Sequence, residues 1–483
     1  MGLDPGLRRL ALGTLLAAYP GPVPPDWAVD LLAEGLAGHT LFGTNIHDPA
    51  QVAATTAALR AGRPDVLIAI DEEGGDVTRL AHATGSPYPG NAALGAVDDP
   101  TLTRQVYAAI GAELAALGIN LDLAPTVDVN TADENPVIGT RSFGADPVRV
   151  AVHSAAAVVG LQSAGVAACA KHFPGHGATV ADSHYELPTV DVPPAVLRER
   201  DLPPFAAVVD AGVRAVMTAH IRVPALTGDG PATFSRAVLV DLLRTEYGFA
   251  GAVITDALEM KGAALAAGGV GPAAVRALAA GADLLCIGAK VDADLVEHVV
   301  EEIVAALTDG RLDRARVEEA AGRAAELAAW TGAGGSATGT PDGLGYAAAL
   351  RAVRVEGDVT GLTAPLVVQV HAPSTIAEGR VPWGLGPHLA AAEVVRAVAG
   401  ETDPDALRRL AGDRPVVLVG RHLHRLPGAR ELVDALAATH PVTVVEMGWP
   451  GDWRPTGARA FVTTYGASHA NGRAAAQVLG LAG

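Results

Sequence analysis

Short apolar runs that alternate with helical patterns are the feature of this chain that most restricts its fold. Eight of them are typical of buried parallel strands, which are near-continuous in apolar residues. They lie at about Leu10–Ala18, His39–Phe42, Val66–Ile70, Asn120–Ala124, Val166–Ala170, Arg214–Thr218, Ala252–Thr255 and Ala282–Ile287. Strands that alternate with helices predict a parallel sheet with right-handed crossovers. Eight of them within about 290 residues predict a (β/α)8 TIM barrel.

A change of composition marks the predicted end of the barrel. Two amphipathic helices are predicted at 292–307 and 312–330, and residues 331–345 are rich in Gly, Ser and Thr, as flexible linkers are. The alternation then resumes, with strands predicted at Leu366–Val370, Pro415–Val419, Val442–Val445 and Ala460–Thr464. The sequence therefore predicts a catalytic barrel domain at 1–335 and a smaller α/β sandwich domain at 346–483.

Composition excludes several classes of protein. The chain carries 53 acidic against 35 basic residues, a net charge of -18, and 49% of it is hydrophobic. A hydrophobic share of this size is not that of a disordered chain, and a polyanion such as nucleic acid requires a basic surface. No apolar run reaches the ~18 residues of a membrane span. We therefore expect neither a nucleic acid nor a membrane as partner.

The N-terminus resembles a signal peptide only in part. Arg8 and Arg9 precede the apolar stretch Leu10–Tyr19, but Pro20-Gly21-Pro22 follows in place of a small-residue cleavage site. We expect this stretch to be the first core strand and the protein to be cytoplasmic. Cys169 and Cys286 lie in apolar runs and are expected to be buried thiols, not a disulfide scaffold.

Ionisable residues follow four of the predicted strands. In a parallel barrel, the carboxyl ends of the strands meet at one face and carry the chemistry. The segments concerned are Asp71–Gly75, Lys171–Gly177, His220–Arg222 and Asp256–Met260. This density predicts one shared pocket rather than four solvated loop tips.

Two of these segments suggest substrate-binding groups. Lys171 and His172 come directly off a buried strand, where they can hold hydroxyls or a carbonyl by charge-assisted hydrogen bonds. An ion pair at the barrel rim is the alternative. Of the three acids that begin at Asp71, we expect one to bind substrate hydroxyls and the others to pair with bases such as Arg79.

Two further patterns suggest catalytic groups. Asp182 and His184 are two residues apart in a glycine-containing loop, so the carboxylate can orient the imidazole for general acid/base work, unless the loop is simply exposed. Asp256 directly follows an apolar run, which restricts its motion as a covalent nucleophile requires. The alternative for Asp256 is a helix cap.

A metal site competes with these interpretations. His172, His176, Asp182 and His184 carry ligand-type side chains within a short stretch. No H-E-x-x-H motif or close cysteine pair accompanies them. We expect neither a metal nor a cofactor.

Taken together, these motifs resemble glycoside hydrolase family 3, and more narrowly its β-N-acetylglucosaminidase branch. The resemblance rests on DEEGG at 71–75 with Arg79, KHFPGHG at 171–177 with the D-S-H triplet at 182–184, and I-T-D at 254–256 with Leu258 and Met260. Residues 137–143 match the family pattern I-G-x-R-S-[FY]. The resemblance covers about residues 1–335, and weaker motifs at 381–385 and 465–468 extend it to the second domain.

The resemblance implies a role for each matched residue. Asp256 would be the nucleophile and His184 the general acid/base, oriented by Asp182. The residues that would hold the sugar are Asp71, Arg79, Arg141, Lys171 and His172. The family usually has Arg or Lys where this chain has Asp76, so we expect Asp76 near the pocket but outside the catalytic set.

The activity implied is that of a retaining exo-β-N-acetylglucosaminidase acting on muropeptides or chitooligosaccharides, as a monomer or homodimer. Three alternatives remain open at this stage. Phosphate could replace water, which would make the protein a phosphorylase. The protein could also be a metal-dependent hydrolase, or a barrel that binds sugar without turning it over.

Overall fold

The computed structural model describes residues 3–288, 291–331, 343–390 and 392–483. They divide into two compact units, each formed by several chain segments. The first unit comprises the described residues of Met1–Glu72, Thr103–Val137 and Ala145–Thr340, and the second those of Glu73–Leu102, Ile138–Gly144 and Pro341–Gly483. Most of the predicted linker, residues 332–342, lies outside the described residues. The predicted domain boundaries stay predictions.

Eight parallel strands form the sheet of the first unit. In chain order, β1 to β8 are Leu15–Ala17, Gly38–Leu41, Leu67–Ile70, Leu121–Asp122, Ala167–Phe173, Ala215–Thr218, Ala252–Thr255 and Leu285–Ile287. Their order in the sheet is β7-β6-β5-β4-β3-β2-β1-β8, and a parallel bridge between Ile254 and Leu284 joins its two ends. The predicted (β/α)8 barrel is confirmed.

The α-helices are numbered α1 to α17 in chain order. They span Pro5–Leu12, Asp26–Glu34, Pro49–Gly62, Asn91–Val97, Pro100–Ala116, Pro147–Ser163, Pro194–Arg200, Pro203–Asp210, Pro224–Thr227, Lys261–Ala267, Val270–Ala280, Ala293–Asp309, Arg314–Thr331, Leu344–Ala352, Pro404–Ala411, Ala429–Ala437 and His469–Val478. A π-helix spans Ala237–Glu246. Short 3-10 helices span Gly43–Asn45, Gly139–Arg141, Ala232–Phe234 and Gly386–His388.

Asp-Pro pairs begin several of these helices. The aspartate side chain accepts from free N–H groups of the first turn, and proline at the first position has no N–H to satisfy. Asp48 before α3 and Asp146 before α6 cap in this way. Asp4 does the same for α1, so residues 10–12, predicted as part of the first strand, are helical instead. Residues 15–17 of that run form β1, as predicted.

The barrel interior is filled by alternate residues of the strands. Small and medium side chains predominate there, among them Leu16, Ala69, Ala167, Met217 and Ile254. The free thiols of Cys169 and Cys286 lie in the same cluster, as predicted. Because the inner residues fill the barrel, polar groups are directed to the strand ends.

The second unit contains a six-stranded sheet. Strands β9 to β14 span Arg354–Gly357, Leu366–Val370, Glu393–Ala397, Val416–Gly420, Val442–Glu446 and Ala460–Thr463. The order is β11-β10-β12-β13-β14-β9, all parallel except β9. One apolar cluster includes residues of α15 and α16, and another includes Ala475 of α17, so helices cover both faces of the sheet. The predicted α/β sandwich is confirmed.

No single described helix is long and apolar enough to cross a membrane. The bent pair α10 and α11 meets the requirement by length and composition only.

Candidate active site

The loop after β5 brings Asp182 and His184 together. Asp182 Oδ1 lies 2.6 Å from His184 Nδ1 and accepts the His184 backbone N–H at 2.9 Å. Burial alone would raise the pKa of Asp182, but the hydrogen bonds from His184 outweigh it and lower that pKa. The ionised carboxylate therefore keeps a proton on Nδ1. His184 Nε2 forms no hydrogen bond with a described residue and is available for proton transfer.

Asp256 follows β7 and remains partly accessible. Its Oδ1 accepts the N–H of Ala257 at 2.8 Å, and Oδ2 accepts no hydrogen bond from a described residue. Burial acts to raise the pKa of Asp256, but the charges of His220, His172 and His184 lower it below its ordinary value. The next helix, α10, begins only at Lys261 and has no side-chain cap, so Asp256 is not its cap. An ionised carboxylate with one open oxygen is what a nucleophile requires.

His220 fixes the peptide that adjoins Asp256. Its Nε2 lies 3.1 Å from the carbonyl of Ala257 and its Nδ1 lies 2.8 Å from Thr233 Oγ1. A carbonyl can only accept, so Nε2 carries a proton. The sequence placed His220 at a strand end but gave it no role. Its contact with Ala257 joins β6 to the loop after β7.

Asp71 and Lys171 form an ion pair within the barrel unit. Lys171 Nζ lies 2.7 Å from Asp71 Oδ1, and the lysine side chain is buried while the aspartate is partly accessible. This is the rim ion pair that stood as the alternative to substrate binding. The two roles are compatible, because a paired carboxylate can still accept from a sugar hydroxyl. The sugar-binding roles of Asp71 and Lys171 stay predictions.

His172 is oriented by Asp128, a residue that the sequence analysis missed. Asp128 is fully buried, and its Oδ2 lies 2.7 Å from His172 Nδ1. Its Oδ1 accepts the backbone N–H of His176 at 2.6 Å. Burial would raise the pKa of Asp128, but the charge and hydrogen bond of His172 lower it. The available signal was an acid inside the apolar stretch 127–129, since a buried carboxylate requires partners.

Both ring nitrogens of His176 are engaged with protein groups. His176 Nδ1 lies 2.6 Å from Thr179 Oγ1, and Nε2 lies 3.2 Å from Ser183 Oγ. Burial and the charge of His172 lower the pKa of His176 to about 4. Among the described residues, no group of three or more His, Cys, Asp or Glu side chains could hold a metal ion. The absence of a metal or cofactor in the working protein stays a prediction.

Two of the residues predicted to hold the sugar belong to the second unit. Arg141 forms a double hydrogen bond with Glu73, with Nη2–Oε1 at 2.8 Å and Nε–Oε2 at 3.0 Å, and both side chains are buried. Arg79 Nη2 donates to the carbonyl of Ala377 at 2.8 Å. The third acid of the D-E-E-G-G segment, Glu73, is thus paired with a base, as expected, although that base is Arg141. The sugar-binding roles of Arg79 and Arg141 stay predictions.

Asp76, where the chain departs from the family pattern, lies in a buried network of the second unit. Its carboxylate accepts from Thr140 Oγ1 at 2.6 Å, the backbone N–H of Ala467 at 2.8 Å and Arg421 Nη2 at 3.2 Å. Arg421 also donates to Glu378 at 2.5 Å. Burial would lower the pKa of Arg421, but the two acids raise it. The acid at position 76 therefore forms an ion pair with an arginine of the same unit.

Several known proteins are similar to this chain. A model of the glycosyl hydrolase family 3 N-terminal domain matches residues 25–327. Beta-hexosaminidase A of Pseudoalteromonas piscicida is 34% identical over 330 residues, which are 63% of this chain and 55% of that protein. A beta-hexosaminidase of Chromobacterium violaceum is 39% identical over 283 residues, 55% of this chain and 78% of that protein.

A solved structure extends the likeness to both units. It is a glycoside hydrolase family 3 beta-N-acetylglucosaminidase from Paenibacillus sp. str. FPU-7, 33% identical, with a TM-score of 0.89 over 99% of this chain and 97% of that chain. The family model alone covers more than half of the chain. The protein therefore belongs to glycosyl hydrolase family 3, a family of glycoside hydrolases.

Proposed function

We propose that the protein is a retaining exo-β-N-acetylglucosaminidase that removes terminal N-acetylglucosamine from muropeptides or chitooligosaccharides. The observation that carries this proposal is the 2.6 Å contact between Asp182 and His184 in the same barrel as the partly accessible Asp256. The names of the relatives, beta-hexosaminidase and beta-N-acetylglucosaminidase, support the amino-sugar substrate.

The first step of the proposed mechanism forms a covalent intermediate. Asp256 Oδ2 attacks the anomeric carbon, and the bond from that carbon to the leaving oxygen breaks. The Nε2 proton of the His184 imidazolium goes to the leaving oxygen. Asp182 stabilises the imidazolium before transfer and holds its ring through Nδ1, as the aspartate of a hydrolytic triad does.

The second step releases the sugar with its configuration retained. Neutral His184 accepts a proton from water as the water oxygen attacks the anomeric carbon, and the bond to Asp256 breaks. One imidazole thus acts first as acid and then as base. The lowered pKa of Asp256 suits it to both steps, because it is anionic before attack and a stable leaving group afterwards.

The incoming acceptor distinguishes this proposal from its nearest alternative. A neutral imidazole does not repel an anion as a second carboxylate would, so inorganic phosphate is a second possible acceptor. Product analysis with and without phosphate separates the two activities. Free N-acetylglucosamine at every phosphate concentration supports hydrolysis, and N-acetylglucosamine 1-phosphate as the main product supports phosphorolysis.

Replacement of the nucleophile is the central test. We expect Asp256→Ala to lower kcat/KM for 4-methylumbelliferyl N-acetyl-β-glucosaminide by roughly 10³-fold or more, because the covalent step loses its reacting atom. Unchanged thermal unfolding would show that the fold is intact. Proton NMR of early product made by the native protein should show the β-anomer of the sugar.

Three outcomes would count against the proposal. Full activity of Asp256→Ala contradicts the assigned nucleophile. Loss of activity with a chelator, restored by a divalent metal, supports a metal-dependent hydrolase. Sugar binding by the native protein without turnover of any aryl β-hexosaminide supports a non-catalytic barrel.

A further inference from the structure

The residue between the two members of the acid/base pair points away from them. The exposed fraction is 12% for the Asp182 side chain and 21% for that of His184, whereas the whole residue Ser183 is only 3% exposed. The segment is a turn closed by the N–H groups of Tyr185 and Glu186, which donate to the Asp182 carbonyl at 3.0 and 3.2 Å. Asp182 and His184 therefore keep accessible surface while Ser183 faces the protein.

Ser183 is attached to the barrel at two atoms. Its Oγ lies 3.2 Å from His176 Nε2, and its carbonyl accepts the N–H of Gly262 at 3.2 Å. The His176 side is itself fixed, because Thr179 contacts its other ring nitrogen and Asp128 accepts its backbone N–H. The His176 attachment therefore ends on a part of the barrel that is held by further hydrogen bonds.

Gly262 brings the loop of the acid/base pair against the loop of Asp256. It lies in α10, six residues beyond the proposed nucleophile. A Cβ added at Gly262 would lie 3.0 Å from the Glu186 carbonyl, 3.1 Å from the Ser183 carbonyl and 3.2 Å from His220 Cβ. These contacts are tighter than ordinary packing and two of them are to backbone, so a side chain would displace the 182–186 turn. The two loops are thus in direct contact.

We propose that Ser183 is a positioning residue for the acid/base, held in register with the nucleophile by His176 and Gly262. Ser183 transfers no proton and forms no covalent bond in this role. It fixes the distance and angle at which His184 Nε2 approaches the leaving oxygen. Small displacements matter there, since a shift of about 1 Å at a reacting group can cost about 100-fold in rate. The inference rests on the proposed role of His184.

The leaving group of the substrate distinguishes a loss of acid catalysis from a general loss of activity. A 2,4-dinitrophenolate leaves without protonation, whereas the sugar oxygen of chitobiose requires an acid. The value of kcat/KM reports the first chemical step, in which that acid acts, and is free of the hydrolysis of the intermediate. We therefore compare kcat/KM for the dinitrophenyl glycoside and for chitobiose in each variant.

We expect Ser183→Ala to lower kcat/KM roughly 10- to 100-fold for chitobiose and by less than about 3-fold for the dinitrophenyl glycoside. Ser183→Thr keeps the hydroxyl and should retain most activity on both substrates. Gly262→Ala should show the same selective loss as Ser183→Ala. Ser154→Ala is the matched control, because Ser154 is also buried in the barrel unit and its hydroxyl has no hydrogen-bond partner among the described residues.

The pattern of results separates a failure of the positioning role of Ser183 from a failure of the acid/base role of His184. Equal losses on both substrates in Ser183→Ala and Gly262→Ala, or no loss in either, overturns the positioning role. His184→Ala is the reference: if it shows no selective loss on chitobiose, the proposed acid/base is wrong. If His184→Ala shows the selective loss and Ser183→Ala does not, only the present inference fails.

Discussion

Both units place charged side chains in close contact, but the two clusters differ in which side-chain atoms remain without a hydrogen-bond partner. In the second unit, Asp76 accepts hydrogen bonds from a hydroxyl, a backbone N–H and the guanidinium of Arg421. In the barrel, Asp256 Oδ2 and His184 Nε2 have no hydrogen-bond partner among the described residues, and both side chains are partly accessible.

This difference separates a structural network from a reactive one. A carboxylate whose oxygens are all engaged is stabilised, and it can react only if those contacts break. A carboxylate that is held at one oxygen and open at the other is oriented and still able to attack. Charge alone does not distinguish the two clusters; the accessible side chains and the oxygen and nitrogen atoms without a partner do.

The largest effect on the free energy of unfolding should come from replacing Arg421, which donates to both Asp76 and Glu378. Arg421→Met leaves the buried acids Asp76 and Glu378 without their cation, which typically costs about 3–5 kcal/mol in the free energy of unfolding. Thermal or urea unfolding measures the loss.

Arg414→Met is the matched control for this prediction. Its ion pair with Glu393 lies in the same unit but is partly exposed, with 33% and 44% of the side chains accessible, and such pairs contribute about 0–1 kcal/mol. Equal unfolding curves for the two variants would show that the Asp76 network does not stabilise the fold as described.

Replacement of Asp128 should have a smaller effect, and we expect it in the Michaelis parameters. In Asp128→Asn the amide nitrogen would face His172 Nδ1, so the ring loses the partner that holds its proton there. Loss of a charge-assisted hydrogen bond of about 1.5–3 kcal/mol corresponds to roughly 10- to 100-fold in kcat/KM, chiefly through KM if His172 holds the sugar. Michaelis parameters at saturating and limiting substrate test this. An unchanged KM with only a lower melting temperature would reduce Asp128 to a structural role.

The smallest effect concerns Asp122, a barrel carboxyl that contrasts with Asp256. Asp122 is fully buried and its Oδ2 has no hydrogen-bond partner among the described residues, so burial raises its pKa well above the ordinary value. The folded protein therefore holds a proton that the unfolded chain releases above about pH 3.9, and this cost grows as the pH rises. Asp122→Asn removes the cost and keeps an acceptor for the N–H of Glu72.

The melting temperature of Asp122→Asn, relative to the native protein, should therefore increase between pH 4 and pH 8. A difference that is constant with pH would mean that Asp122 is ionised in the folded protein.

The sequence predicted those parts of the fold and site that depend on local patterns. All eight barrel strands overlap the apolar runs that predicted them, and the contact between Asp182 and His184 follows from their spacing in a turn. The edge strands β9 and β11 were missed because their residues are mostly exposed and charged groups interrupt them. Edge strands bury one face at most, so they lack the continuous apolar run of a central strand.

The parts that the sequence could not predict depend on contacts far apart along the chain. Asp128 reaches His172 over 44 residues, and Asp76 reaches Arg421 over 345. His220 contacts the Ala257 carbonyl through Nε2, and no local sequence pattern predicts this contact. A single sequence shows which residues can ionise, whereas only the fold shows which of them are satisfied. The cytoplasmic location and the oligomeric state stay predictions.

The division of the second unit among three chain segments has a consequence for how the protein is made. Residues 73–102 and 138–144 leave the ribosome roughly 200 residues ahead of the segment that completes their unit, a delay of about 10–40 s at usual elongation rates. During that interval Asp76 has no Arg421 to meet, and the carbonyl of Ala96 lacks the guanidinium of Arg354. The second unit therefore cannot mature as an independent nascent domain, and a chain that stops early should be exposed to proteases first at 73–102.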